Sequence, residues 1–369
     1  SSDLGAGAVP VAQEGGACCG RIGTEGGRSM NELRQNGPIY EVEGLVIDLY
    51  TPTVSVRAVD GAGFHVAPGE TLAIVGESGS GKTVMTLGPL GLLPEGVAVD
   101  LRGTARADGK DILSMSPGDL SRLRGGFFGV IFQDPMSALN PMLKIGPQLA
   151  EQARRFAGLS AAEARREAVS LLARSGIPDP EDRYDRYPHE LSGGMLQRAM
   201  IALALAARPR VLIADEPTTA LDATVQAQIL ALIRQIQKED GIAVILITHD
   251  IGAVSVLADR VAVLYAGQVA EEGSAVDVLT APVHPYTRGL LASVPDFRSD
   301  SASGTKEIPG IPPNQAQLMP GCRFVDRCDR AEAACKTRRP RLQTVGTGAV
   351  RHRVACPVVI AAEGIVTHD

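Results

Sequence analysis

No apolar run in this chain approaches the roughly 18 to 20 residues that a helix needs to span a bilayer; the longest candidate, residues 199–207, is about half that length. The chain is therefore not expected to cross a membrane by itself, and any membrane role has to come through partners. Charge of one sign is also missing. With 36 Lys and Arg against 42 Asp and Glu the formal net charge is only -6, too weak a field to recruit nucleic acid or an anionic lipid surface, so nucleic acid is not expected among the partners. The N-terminus lacks a basic start and a clear apolar stretch ahead of a cleavage site, so no secretory leader is read and a cytoplasmic protein is expected. Cysteines are not spread through the chain as a disulfide framework would require: of six, four fall after residue 320, which points to metal binding instead. No internal repeat of solenoid length is found. What remains is ample for a core. A hydrophobic content of 44% in 369 residues excludes a wholly disordered chain and predicts two domains, or one large domain with an appendix.

Residues 1–38, rich in Gly, Ala, Ser and polar residues without periodicity, read as a flexible tail that carries the vicinal pair Cys18 and Cys19 and has Met30 as an alternative start. From residue 39 the pattern changes. Short β-branched runs at 40–49, 53–59 and 71–75 predict strands. Continuous apolar runs at 129–132, 210–214 and 242–248 predict strands buried on both faces of a mixed or parallel sheet, with helices covering both sides. Residues 147–157 and 161–175 read as helices, the second opened by Ser160 with Glu163 in a capping-box arrangement. The fold class is thus α/β, with one large domain over 39–295, a helical subdomain at about 134–205, and a small Cys-rich C-terminal domain over 296–369.

Gly76-Glu77-Ser78-Gly79-Ser80-Gly81-Lys82-Thr83 fits G-x-x-x-x-G-K-[ST] between an apolar run and a helix-like stretch, the setting a P-loop needs. Its glycines let backbone N–H groups turn inward around phosphate oxygens, Lys82 reaches the β and γ phosphates, and the Thr83 hydroxyl ligates Mg²⁺. An ordinary Gly-rich turn is the bland alternative. Residues 211–216 end a buried strand on Asp215 and Glu216, costly to bury unless a metal or hydrogen bonds hold them. Beside a P-loop, Asp215 is placed to orient the Mg²⁺ shell and Glu216 to polarise an attacking water as general base, which implies hydrolysis. Leu191-Ser192-Gly193-Gly194-Met195 is a second Gly-rich turn opening a helix, with Ser192 as N-cap; alone, it is a capped helix and no more.

Together with Gln133 after a strand, Ala220-Leu221-Asp222, and His249 after a further strand, these elements resemble, over about residues 40–295, the ATPases of the ABC type. The resemblance implies that Ser192, Gly193 and Gly194 complete the ATP site of an opposite subunit in a head-to-tail dimer. Met195 stands where the family usually has Gln. His249 is similar to a switch histidine at the γ phosphate, and Gln133 to a residue that touches Mg²⁺ or water on one side and the membrane subunit on the other. Tyr50 matches an aromatic that stacks on adenine, a plain core tyrosine being its rival. Finer resemblance, in residues 133–141, in Tyr187-Pro188-His189-Glu190-Leu191, and in His284-Pro285-Tyr286-Thr287, is to the ATP-binding subunits of oligopeptide and dipeptide importers, a branch that also carries nickel chelates, glutathione and oligosaccharides.

Residues 308–313 (Ile-Pro-Gly-Ile-Pro-Pro) and Cys322, Cys328, Cys335 and Cys356 extend that resemblance to the C-terminus. Four thiols spaced C-x5-C-x6-C-x20-C suffice for one four-thiolate site and differ from the paired C-x2-C knuckles of zinc ribbons. The resemblance implies a [4Fe-4S] cluster, with zinc and free thiols as alternatives, and Arg323, Arg327, Arg330, Arg338, Arg339 and Arg341 are expected to lower the thiol pKa values. The implied assembly is two transmembrane permease subunits, a second, related but different ATPase chain, and an extracytoplasmic solute-binding protein, with this chain on the cytoplasmic face of the membrane. The rivals are a soluble ABC-type ATPase acting on DNA or ribosomes, and a nucleotide-binding regulator without turnover.

Overall fold

The computed structural model describes residues 37–93, 96–219, 221–293, 307–317, 319–345, 352–362 and 367–368. The tail read at 1–38, with Cys18 and Cys19, lies outside them except for its last two residues.

Two sheets form the body. A four-stranded antiparallel sheet runs β2-β1-β4-β5, from β1 (Tyr40–Tyr50), β2 (Ser55–Val66), β4 (Ala98–Ala107) and β5 (Lys110–Asp111). The larger sheet is built on β3 (Thr71–Val75), which pairs in parallel with β8 (Ala243–Thr248) on one side and β9 (Arg260–Tyr265) on the other. Beyond β8 come β7 (Val211–Asp215) and then β6 (Phe128–Ile131), both parallel. Beyond β9 the sheet turns antiparallel through β10 (Gln268–Ser274). The mixed sheet expected from the apolar runs is present.

Every residue of β3, β7 and β8 is buried, and the period of two explains what each face does. Ala73, Val75, Leu212, Ala214, Val244 and Leu246 point into a core shared with the helices, while Leu72, Ile74, Val211, Ile213, Ile245 and Ile247 point into a second core beneath the four-stranded sheet. Strands covered on both sides have no polar face to display, so they read as unbroken apolar runs.

The helical insertion lies between β6 and β7. Helix Ala161–Arg174 starts at Ser160, whose hydroxyl accepts from the Glu163 amide while the Glu163 carboxylate accepts from the Ser160 amide at 2.9 Å. Helix Ile145–Phe156 buries Ile145, Leu149, Ala150 and Ala153 on one face. Among the described residues no helix is long and apolar enough to cross a membrane.

The C-terminal segment adds strands to the large sheet. β12 (His352–Val354) pairs with β10, and β11 (Gln343–Val345) and β13 (Thr367–His368) follow outward. The seam is fixed by a buried carboxylate: Glu271 of β10 accepts from the Val283 and His284 amides at 2.8 and 2.9 Å and meets His352 Nε2 at 2.7 Å. Burial alone would raise its pKa; the hydrogen bonds from His352, Thr287 and the two amides outweigh that and hold it below the usual range.

Candidate active site

The loop from Gly76 to Thr83 leaves the C-terminal end of β3 and opens helix Lys82–Leu87. Two of its glycines are sterically required. Gly76 and Gly81 have positive φ, and a Cβ on them would lie 2.2 Å from the Leu264 carbonyl oxygen and 2.4 Å from that of Ala58. The Lys82 ammonium, almost fully buried, folds back and donates to the Gly76 and Glu77 carbonyls at 2.8 and 3.0 Å. Burial lowers its pKa against the opposing pull of Glu216, Asp215 and Glu77. A cation held by two carbonyls can exchange them for phosphate oxygens with little rearrangement.

At the end of β7 the Thr83 hydroxyl donates to both Asp215 oxygens, at 3.1 and 2.9 Å. Burial raises the Asp215 pKa, partly offset by Thr83, and Glu216 raises it further. A buried carboxylate in this condition is suited to a cation, and a hydroxyl beside it completes a hard oxygen donor set of the kind Mg²⁺ takes. Glu216 follows with φ 47, left-handed backbone rarely adopted by a side-chain-bearing residue. That turn aims its carboxylate at two loops at once. Oε2 accepts from Gln133 Nε2 at 3.2 Å, and Oε1 stands 3.2 Å from His249 Nδ1. Thr219, unremarked in the sequence, donates to Oε2 at 3.0 Å.

Ser192 caps helix Gly193–Leu205 by accepting from the Met195 amide at 3.4 Å, so Met195 leaves the cap intact. Ser192 and Gly193 are exposed, and a Cβ on Gly193 would meet nothing within 4 Å. Among the described residues no hydrogen bond joins this turn to the P-loop of the same chain. Asp222 caps helix Ala223–Asp240 through the Thr224 and Val225 amides; Ala220 lies outside the described residues. Tyr50, at the end of β1, is 44% exposed. The core-tyrosine alternative is thereby set aside.

The C-terminal segment reaches the same loop. Arg327 donates two hydrogen bonds to the Glu77 carboxylate, at 2.7 and 2.9 Å, the Tyr286 hydroxyl accepts from the Glu77 amide at 2.9 Å, and Gln315 donates to the Gly79 carbonyl at 2.9 Å. Nearby, Cys322, Cys328, Cys335 and Cys356 line one cavity of about 20 Å³ together with His284 and Phe324.

Residues 59–219 match the ABC transporter family, and residues 270–335 match the oligopeptide/dipeptide transporter C-terminal region. The dipeptide transport ATP-binding protein DppD of Bacillus subtilis is 47% identical over 297 residues, 80% of this chain and 88% of that protein. The oligopeptide transport ATP-binding protein OppD of the same organism is 47% identical over 293 residues, 79% and 82% of the two chains. The chain belongs to the ATP-binding subunits of ABC-type peptide importers. Solved structures agree. The dimeric ATP-binding cassette MJ0796 in a post-hydrolysis state with ADP and Pi has a TM-score of 0.57 at 26% identity, covering 64% of this chain and 98% of that one. CbiO1 of Clostridium perfringens, part of the transporter complex cbiONQ, has 0.56 at 32%, covering 66% and 91%. This importer subunit is an ATPase of the P-loop ABC fold.

One expectation for the importer subunit fails. The arginines beside the cysteines do not bring Cys322, Cys328 or Cys356 below the usual thiol range. Burial pushes Cys322 up to about 11 and raises Cys328 and Cys356 as well. Three of the guanidinium groups face elsewhere: Arg323 and Arg339 pair with Asp60 at 3.0 and 3.3 Å, and Arg327 with Glu77. Among the described residues no group of three or more His, Cys, Asp or Glu converges tightly enough to hold a metal ion, although all four thiols border one void. The donor set still suits a thiophilic metal or cluster, since all four thiols border that one void.

Proposed function

We propose that this chain powers peptide import by hydrolysing Mg-ATP at a site it shares with a second ATPase subunit. One observation carries the reading: the Glu216 carboxylate is bracketed by Gln133 and His249, beside the Thr83–Asp215 pair and the Lys82 ammonium. In this reading Glu216 is the general base, His249 contacts the γ phosphate, and Lys82 neutralises the β and γ phosphates. The amides of Gly76, Ser78, Gly79, Ser80 and Gly81 cradle the phosphates, Glu77, whose own amide is taken by Tyr286, holds the loop in shape, and Tyr50 stacks on adenine. Thr83, Gln133 and Asp215 would hold Mg²⁺, which supplies charge neutralisation when bound. Ser192, Gly193 and Gly194, the first two exposed, serve the site of the facing subunit, with Asp222 at that junction.

The domain limits follow the same reading: 39–295 for the ATPase domain, about 134–205 for the helical subdomain, and 296–369 for a Cys-rich C-terminal unit. Permeases and an extracytoplasmic solute-binding protein complete the importer, with this chain on the cytoplasmic face. Extraction from native membranes in mild detergent, capture by a C-terminal tag and mass spectrometry of the captured chains tests this. Two permeases, a second ATPase and a solute-binding protein are expected; recovery only from the soluble fraction, with nucleic acid or ribosomes, would promote the soluble-ATPase reading.

The four cysteines are assigned to a [4Fe-4S] cluster because the likeness to peptide-importer subunits implies one and four thiols bordering one void can supply its ligands. The rival is zinc, favoured by the size of the void, about 20 Å³, which suits a single small occupant. Anaerobically captured protein is expected to carry about four irons and about four sulfides per chain. Stoichiometric zinc without iron would end the cluster assignment.

A further inference from the structure

The P-loop of this chain is gripped in part from outside its own domain. Glu77, the second residue of the loop, is bound on three atoms by groups far along the chain. Its two carboxylate oxygens take the Arg327 fork, and its amide donates to Tyr286. Two positions on, Gln315 holds the Gly79 carbonyl, and the Gln315 carbonyl accepts from the Arg57 amide of β2 at 3.2 Å. Arg327 is itself tightly built in. It is almost fully buried, donates to the Pro309 and Ile308 carbonyls and to the Tyr265 hydroxyl, and lies near the rings of Tyr265 and Phe324. Gly310, with positive φ, leaves room for it: a Cβ there would already press on Arg327 Cγ at 3.3 Å. The proline-rich 308–313 segment thus shapes a socket for one guanidinium.

A bidentate Arg–carboxylate pair fixes both position and orientation. Here it fixes a loop whose amides have to point at phosphate oxygens. Resting on the ATPase reading above, we infer that Arg327 is a positioning residue for nucleotide binding: it holds Glu77 so that the phosphate cradle is formed before ATP arrives. The C-terminal segment is then part of the ATP site's support, and whatever disturbs residues 322–328 weakens nucleotide binding. Because the cradle serves bound ATP and the transition state alike, losing the grip raises KM and leaves kcat nearly unmoved.

The test is a double-mutant cycle in the detergent-extracted complex, with Arg327→Ala, Glu77→Ala and the pair together, assayed for ATP turnover and for binding of a fluorescent ATP analogue. Arg327→Ala is expected to raise KM and the analogue's Kd about tenfold, with kcat within about twofold. Glu77→Ala is expected to do the same, and the double variant no more than either alone. Arg327→Lys, which keeps the charge and loses the fork, falls between. An unmoved KM in Arg327→Ala, or effects that add in the double variant, would overturn the inference. If Arg327→Ala does not fold, Glu77→Ala alone decides, since its side chain sits on a partly exposed loop. A wild-type complex that hydrolyses no ATP would instead sink the ATPase reading and this inference with it.

Discussion

Replacing Glu216 with Gln is expected to reduce ATP turnover by the assembled importer about 10²- to 10⁴-fold while leaving ATP binding in place. The amide is nearly the size of the carboxylate, so the contacts with Gln133, Thr219 and His249 lose charge but not shape. What disappears is the carboxylate that takes a proton from the attacking water. The strained backbone at Glu216 survives, since Gln occupies the same φ. A steady-state phosphate-release assay, paired with filter binding of labelled ATP, measures both halves. Turnover within a factor of two or so of wild type would revive the regulator-without-catalysis reading and move the base elsewhere.

Replacing Lys82 with Ala should act on the other half of the cycle. Its ammonium is the cation nearest the loop carbonyls and is already stripped of water, so its hydrogen bonds to phosphate are made at little further desolvation cost. Charge-assisted bonds of this kind contribute about 1.5–3 kcal/mol, or about 10- to 150-fold in Kd for ATP. Truncation also takes the Lys82 donor from the Gly76 carbonyl, while the Glu77 carbonyl keeps the Ser80 amide. Calorimetric titration of the variant with Mg-ATP checks this; an unchanged Kd would show that the P-loop amides alone hold the nucleotide.

Much of this site was legible because its parts obey local rules. The P-loop declares itself by spacing, the Asp215-Glu216 pair by ending an apolar run, and the Ser160–Glu163 capping box by two residues three apart. β3, β7 and β8 stood out because burial on both faces leaves no polar position to interrupt them. β4 was not anticipated: most of its residues are exposed or half-buried, so its composition carries no apolar signal. β9 and β10 were missed as well, although five of the six residues of β9 are buried.

The misreading of the arginines is instructive. Adjacency in sequence placed Arg323 and Arg327 beside thiols, yet a long side chain acts where its tip lies, and both tips reach Asp60 and Glu77 some 250 or more residues earlier in the chain. No local pattern encodes that pairing. Thr219 was likewise invisible, since only the left-handed turn at Glu216 brings the carboxylate back onto it.

The order of strands also bears on how the chain is made. β1, β2 and β4 pair with near neighbours and need only the first 107 or so residues to close. β3 is different. Both of its edges are filled by segments that emerge from the ribosome much later, β8 from residue 243 and β9 from residue 260. Throughout that interval the phosphate-binding loop exists as sequence without a strand on either side of its base. Gly81 is shaped by Ala58, made before the loop, but Gly76 is shaped by Leu264, which has not yet been synthesised. ATP binding therefore belongs to the finished sheet, and a nascent chain shorter than about 265 residues has the motif without the site.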